Sequence, residues 1–229
     1  MKRKKCLYNI AIATSLIIIV AACNDGMVSK STEINTIPSV SAEVSGKGGS
    51  MARFSVTTDA LYVLTNNTLY AYDIKNQPVP VEHSKITLGE GMETVFVYDT
   101  LLFIGSQSGM QVYERKNGID LEYVSSFWHA TACDPVVFDG KHAYITLNSA
   151  HEICGRYINE LHIVHMDDIT NPVHIANYNM ESPKGLGVDG DFLFVCDKNM
   201  LKVYDKTTPE SLAFVQSKTI PDAYDVIPY

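Results

Sequence analysis

Apolar and polar positions along the chain alternate in short runs rather than at helical spacing, and the runs repeat. Four segments align: Phe54 to Leu64, Val95 to Gly105, Val136 to Thr146 and Leu186 to Cys196. Each is an apolar run, a polar turn and a second apolar run. Asp139-Gly140 and Asp189-Gly190 are strong hairpin signals at two of the turns. The starts lie 41, 41 and 50 residues apart, and a fifth start, Val226-Ile227-Pro228-Tyr229, follows 40 residues later. A third strand is expected in each repeat, at Leu69 to Asp73, Met110 to Glu114, Leu161 to His165 and Leu201 to Asp205. A fourth, weaker run closes each: Val81 to Ile86, Glu122 to Phe127, Val173 to Tyr178 and Leu212 to Gln216. The third repeat is long because its third strand starts ten residues late.

Four strands in about 40 residues fit a β-propeller blade, whose faces must be covered by neighbouring blades. The expected fold is all-β: a propeller of about four four-stranded antiparallel blades plus a C-terminal inner-strand stub. A β-sandwich or another all-β repeat is the competing architecture. The stub, Asp222 to Tyr229, either closes the ring in an unusual way or belongs to a fragment of a longer propeller with an incomplete ring; the fragment is the favoured expectation.

Ahead of the repeats the pattern changes. Lys2, Arg3, Lys4 and Lys5 precede an almost wholly apolar run from Cys6 to Val20, which is short for a membrane span and suits a signal-peptide core. The run ends in Val20-Ala21-Ala22-Cys23, which resembles the lipobox of bacterial lipoproteins. That resemblance implies cleavage before Cys23 and acylation of Cys23 with palmitate-type chains. Residues 1–22 are therefore expected to be a lipoprotein signal peptide. Residues 23–50, rich in Ser, Thr, Gly and Asn, are expected to be a flexible lipid-anchored tether, with residues 51–229 forming the propeller.

The third-strand motifs Leu-Tyr-Ala-Tyr-Asp and Leu-Lys-Val-Tyr-Asp, the second followed by Thr207-Thr208-Pro209, resemble the LVIVD repeat of bacterial propeller-like surface lipoproteins. Cys133-Asp134-Pro135-Val136-Val137 looks like the flanking text of that family. The likeness covers roughly residues 48–229 and implies a fold and a cell-envelope setting, not a reaction. Asp73 and Asp205 end the motif with a carboxylate able to cap the next turn. Glu114 and His165 stand there in the other two repeats, so those turns should be looser.

Composition narrows the partners. The charge is −8, and removal of residues 1–22 would leave fourteen Lys and Arg against twenty-six Asp and Glu, a charge of −12. Nucleic acid is a poor partner for such a surface. Anionic lipid would not hold it by charge, so the membrane link would be the acyl chains.

Three further cysteines offer chemistry. Cys133 and Cys154 bracket the enlarged hairpin, and in an exported protein a disulfide between them is expected. His129, Cys133, His151 and Cys154 make a weaker zinc set that such a disulfide would consume. No metal and no cofactor is expected. Cys196, in an apolar strand, reads as a buried small hydrophobe. His162 and His165 fall on opposite faces of one strand, and His83, His142 and His174 read as isolated. Gly-x-Ser-x-Gly, the Walker loop and His-Glu-x-x-His do not occur. Gly185 and Gly187, on an inner strand, should permit close packing near the axis.

Topology supplies the candidate site. Arg53, Glu93, Asp134, Lys184 and Asp225 enter successive inner strands and should gather near one mouth of the channel, as a polar ligand site or as a rim of local salt bridges. Trp128 and His129 lie beside that rim, with Trp128 either recognising a sugar or peptide or packing between blades. The inserted loop, residues 148–157, is another contact surface. The expected function is a non-catalytic binding module at the cell envelope, with a protein, peptide or glycan as ligand. Its expected location is the outer membrane, on the periplasmic or surface face. A polysaccharide lyase or hydrolase, and a structural spacer, are the alternatives.

Overall fold

The computed structural model describes residues 49–129, 135–148 and 158–228. These form four antiparallel sheets of four strands, each a simple up-and-down meander. Blade 1 contains β1 (Phe54–Val56), β2 (Ala60–Leu64), β3 (Thr68–Asp73) and β4 (Val81–Thr87). Blade 2 contains β5 (Met92–Tyr98), β6 (Leu101–Ser106), β7 (Gly109–Lys116) and β8 (Asp120–Trp128). Blade 3 contains β9 (Val136–Phe138), β10 (His142–Asn148), β11 (Asn159–His165) and β12 (Val173–Asn179). Blade 4 contains β13 (Pro183–Asp189), β14 (Phe192–Asp197), β15 (Met200–Asp205) and β16 (Ala213–Thr219), with one 3-10 turn at Pro209–Ser211. The repeat period thus corresponds to one sheet, and the two Gly turns adopt positive φ at Gly140 and Gly190.

The blades share a distortion that their sequences do not announce. Pairing of the third and fourth strands slips by one residue at the same motif position in every blade. His83, Val124, Ile175 and Val215 are the extra residues on the outer strands. Each bulge adds local twist to the outer edge of its blade.

Three apolar clusters lie between consecutive blades. Tyr62, Leu64 and Leu69 meet Val95, Leu102 and Ile104 between blades 1 and 2. Phe103, Met110 and Val112 meet Phe138, Ile145 and Met166 between blades 2 and 3. Tyr144, Leu161 and Ile163 meet Leu186, Leu193 and Val195 between blades 3 and 4. Central β6 and β10 are buried along almost their whole length, because each faces a neighbour on both sides.

In blades 1 and 4 the Asp that ends the third-strand motif caps the turn that follows. Asp73 Oδ1 accepts from the N–H groups of Lys75 (2.9 Å) and Asn76 (3.1 Å), and Asp205 Oδ1 accepts from Thr207 N–H (2.9 Å) and its hydroxyl (2.7 Å). The Asn76 side-chain amide, which donates to Asp73 Oδ2 (3.0 Å), and the two N–H bonds hold the Asp73 carboxyl below its ordinary value, and the Thr207 hydroxyl and N–H do the same for Asp205. Glu114 instead pairs with Lys116, and in blade 3 the cap moves three residues on, to Asp168 with Thr170.

Candidate functional site

The rim residues are mostly tied into the scaffold. Arg53 donates from Nη2 to Met92 O (2.7 Å) and from Nε to Leu64 O (3.4 Å), joining blade 1 to blade 2. Glu93 accepts from Gln107 Nε2 (3.2 Å) within its own blade. Lys184 holds its ammonium 5.6 Å from the Tyr224 ring centroid, and its carbonyl accepts from Thr146 Oγ1 (2.5 Å). Asp134 lies outside the described residues, as do Cys23, Cys133, His151 and Cys154. The expected lipidation and disulfide therefore fall there too, as does the zinc set apart from His129. Cys196 is free and buried, its thiol pushed up to about 11 mainly by desolvation.

Asp225 has a specific structural task. Its Oδ1 accepts from Ser50 Oγ (2.8 Å) and from Val226 N–H (2.9 Å), and its Oδ2 accepts from Met51 N–H (3.1 Å). Ser50 Oγ in turn accepts from Leu186 N–H (2.8 Å), while Gly185 N–H donates to Tyr224 O (2.8 Å). Residues 49–51, 185–187 and 224–228 thus form a clasp between blade 4 and blade 1. The segment read as a fifth inner strand lies against β13 but is not itself in a sheet. Glycine is required beside it: a Cβ on Gly49 or Gly185 would fall 2.0 Å or 2.1 Å from an Asp225 carboxylate oxygen, and one on Gly187 would fall 2.7 Å from Pro228.

Trp128 ends β8 and is 65% exposed. It pairs with Gly109, where a Cβ would come within 2.2 Å of Phe127 O, so no opposing side chain shields the indole. On the opposite face of β8, that of Phe127, three imidazoles collect between blades 2 and 3. His162 lies 4.8 Å from His174 and 6.4 Å from His129, centroid to centroid, and Phe127 stacks on His174 at 6.3 Å. His162 Nε2 meets Glu160 at 2.7 Å. Burial, chiefly, holds the His162 pKa below 6.5, with the Glu160 bond opposing and the neighbouring imidazoles adding to the depression.

His174 and His142 are therefore not isolated, contrary to their reading from the sequence. The bulge at Ile175 pairs His174 with Val164 and so turns it onto the face that carries His162. Register alone places His142 opposite His165, with Nε2 and Nδ1 3.2 Å apart. His83 meets Asp120 at 2.7 Å. Among the described residues, no three His, Cys, Asp or Glu side chains are arranged to hold a metal ion.

No protein-family model matches the chain, and no curated protein matches it. It is similar to the solved structure of a protein from Lactobacillus plantarum, with a TM-score of 0.56 at 15% identity over 72% of this chain and 60% of that one. It is also similar to a hypothetical selenium-binding protein from Sulfolobus tokodaii, with a TM-score of 0.51 at 12% identity over 73% of this chain and 54% of that one. These neighbours are β-propeller-like. The fold is propeller-like. The chain spans less than two thirds of either neighbour, and at these identities the likeness extends to the fold alone.

Proposed function

We propose that the protein is a lipid-anchored binding module of LVIVD type at the cell envelope, with a protein, peptide or glycan as its ligand. The observation that carries this reading is Trp128. An indole left 65% exposed at a strand end has the make-up of a recognition residue. Arg53 and Asp225 are bonded into blade contacts and so serve the scaffold, which leaves Trp128 as the exposed candidate for recognition. The lipobox-like residues before Cys23 supply the anchor.

Trp128 is the only tryptophan in the chain, so its fluorescence reports on this surface directly. Titration with envelope glycans and envelope protein fractions is expected to shift or quench the emission saturably, and Trp128→Ala is expected to abolish capture of the same ligand. Fatty-acid labelling in cells is expected to be lost in Cys23→Ala. Full-strength ligand capture by Trp128→Ala would sink the recognition role, and an unlabelled wild-type chain would sink the anchor.

A further inference from the structure

The blade interfaces contain a repeated socket. Ile74, Arg115, Met166 and Lys206 are equivalent: each follows a third-strand motif, and each donates its N–H to the hairpin carbonyl of residue 59, 100, 141 or 191. Tyr62, Phe103, Tyr144 and Phe194 are equivalent at the middle of the second strand, by register. Thr57, Tyr98 and Asp139 are equivalent at the end of the first strand or just after it.

Two of the three interfaces fill the socket with a cation from the next blade. Between blades 1 and 2, Arg115 lies 5.7 Å from the Tyr62 ring centroid and donates to Thr57 Oγ1 (3.1 Å), Tyr62 Oη (3.2 Å) and Gly118 O (2.8 Å). Between blades 3 and 4, Lys206 lies 6.0 Å from the Tyr144 centroid and pairs with Asp139 Oδ2 at 2.8 Å. Ring and oxygen together bind a charge on an alkyl stem.

The interface between blades 2 and 3 differs. Met166 replaces the cation and Phe103 replaces the tyrosine, and the two pack together in the core. A cleft of about 300 Å³ opens at this place, lined by Tyr98, Asp99, Leu101, Phe138, Met166 and Asp167. Its lining combines apolar side chains with two carboxylates and a phenol. Asp167 is 59% exposed, flanked by His165 (3.2 Å) and Lys141 (3.8 Å), and Arg115 reaches the neighbouring backbone at Asp99 O (2.7 Å).

We propose that this cleft binds the guanidinium or ammonium head of a partner's arginine or lysine side chain, where the charged ends of Arg115 and Lys206 lie at the sister interfaces, with Met166 standing in the place of their stems. The site is at the hairpin end of blade 2, in the turn between β5 and β6, whereas Trp128 ends β8 opposite the start of β7. The inference does not depend on the function proposed for Trp128.

The test uses the full chain and two probes, Nα-acetyl-arginine methylamide and its uncharged citrulline counterpart, followed by NMR. The arginine probe should bind saturably with a Kd of about 1 mM, as a ligand of that size allows. The citrulline probe should bind roughly tenfold more weakly, for want of the charge-assisted contacts. Met166→Lys should fill the cleft from within and abolish binding. Asp99→Asn with Asp167→Asn, both at the exposed rim, should weaken it roughly tenfold even where Met166→Lys does not fold. Trp128→Ala should leave it unchanged. Equal affinity for the two probes, undiminished binding to folded Met166→Lys or to the double asparagine variant, or no saturation with the arginine probe would each overturn the proposal.

Discussion

The contact between blades 2 and 3 and the seam between blade 4 and blade 1 are made of opposite materials. The first is a continuous apolar layer in which Phe103 and Phe138 sit 5.0 Å apart, with Met110, Ile145, Val164 and Met166 around them. The seam is a polar clasp: one carboxylate, Asp225, gathers a hydroxyl and backbone N–H groups, and two glycines make room for it. None of the three apolar clusters of the described residues joins blade 4 to blade 1. An apolar layer is stabilised by area and is tolerant of small shifts. A clasp depends on a few directional bonds and fails as soon as one partner is missing.

The largest expected effect is on the apolar side. Phe103 is fully buried, so Phe103→Ala should cost about 3–5 kcal/mol through lost burial and the cavity left behind. Chemical denaturation would read this as a lowered midpoint. A cost below about 1 kcal/mol would mean that the layer collapses around the gap, and the contrast with the seam would lose its basis.

Asp225→Ala should act more weakly, costing about 1–3 kcal/mol, because it strands Ser50 Oγ and the Met51 N–H without removing apolar burial. Its signature should be local, with faster amide exchange at Gly185 and Leu186, whose N–H groups bond Tyr224 O and Ser50 Oγ. Gly185→Ala should reproduce it by pushing the carboxylate out. Unchanged exchange at both residues would show that the seam is held by something other than the clasp.

What the sequence made legible follows the same division. The hairpins, blade count and third-strand motifs come from local alternation and turn chemistry, which act over ten residues and leave a repeat. The Asp73 and Asp205 caps were legible for the same reason. The register slips carry no distinguishing residue signature: the four bulges fall on His83, Val124, Ile175 and Val215, and the β-branched residues at three of them are equally at home at regular strand positions. His174 therefore looked solitary until pairing turned it toward His162. Asp225 was placed at the rim by repeat alignment, but its partners lie about 175 residues away in the chain, at Ser50 and Met51. The socket substitutions Tyr62–Arg115, Phe103–Met166 and Tyr144–Lys206 are visible in the letters only once the structure shows which blade each residue faces.

The smallest effect concerns pH, and it acts on the apolar contact at the edge where the imidazoles gather. Burial disfavours the charged form of His162, with Glu160 on one ring nitrogen, His174 and His129 beside the ring, Asn177 bonded to Glu160 and Phe127 stacked on His174. Its folded pKa lies below 6.5, so its contribution to stability is fully present above that value and is lost as pH falls through the folded pKa. His142 shifts in the same direction, for burial first, with Asp139 and Glu210 opposing and His165 and Lys141 adding to the depression. Stability should therefore decline from pH 6.5 downward, before the depressed carboxyl of Asp139 begins to protonate below its ordinary 3.8. Thermal unfolding across this range should show the slope, and His162→Gln should flatten part of it while lowering stability at pH 7. A slope of the same size in His162→Gln would mean that the proton enters elsewhere, and the edge between blades 2 and 3 would then be no more sensitive to acid than the rest of the ring.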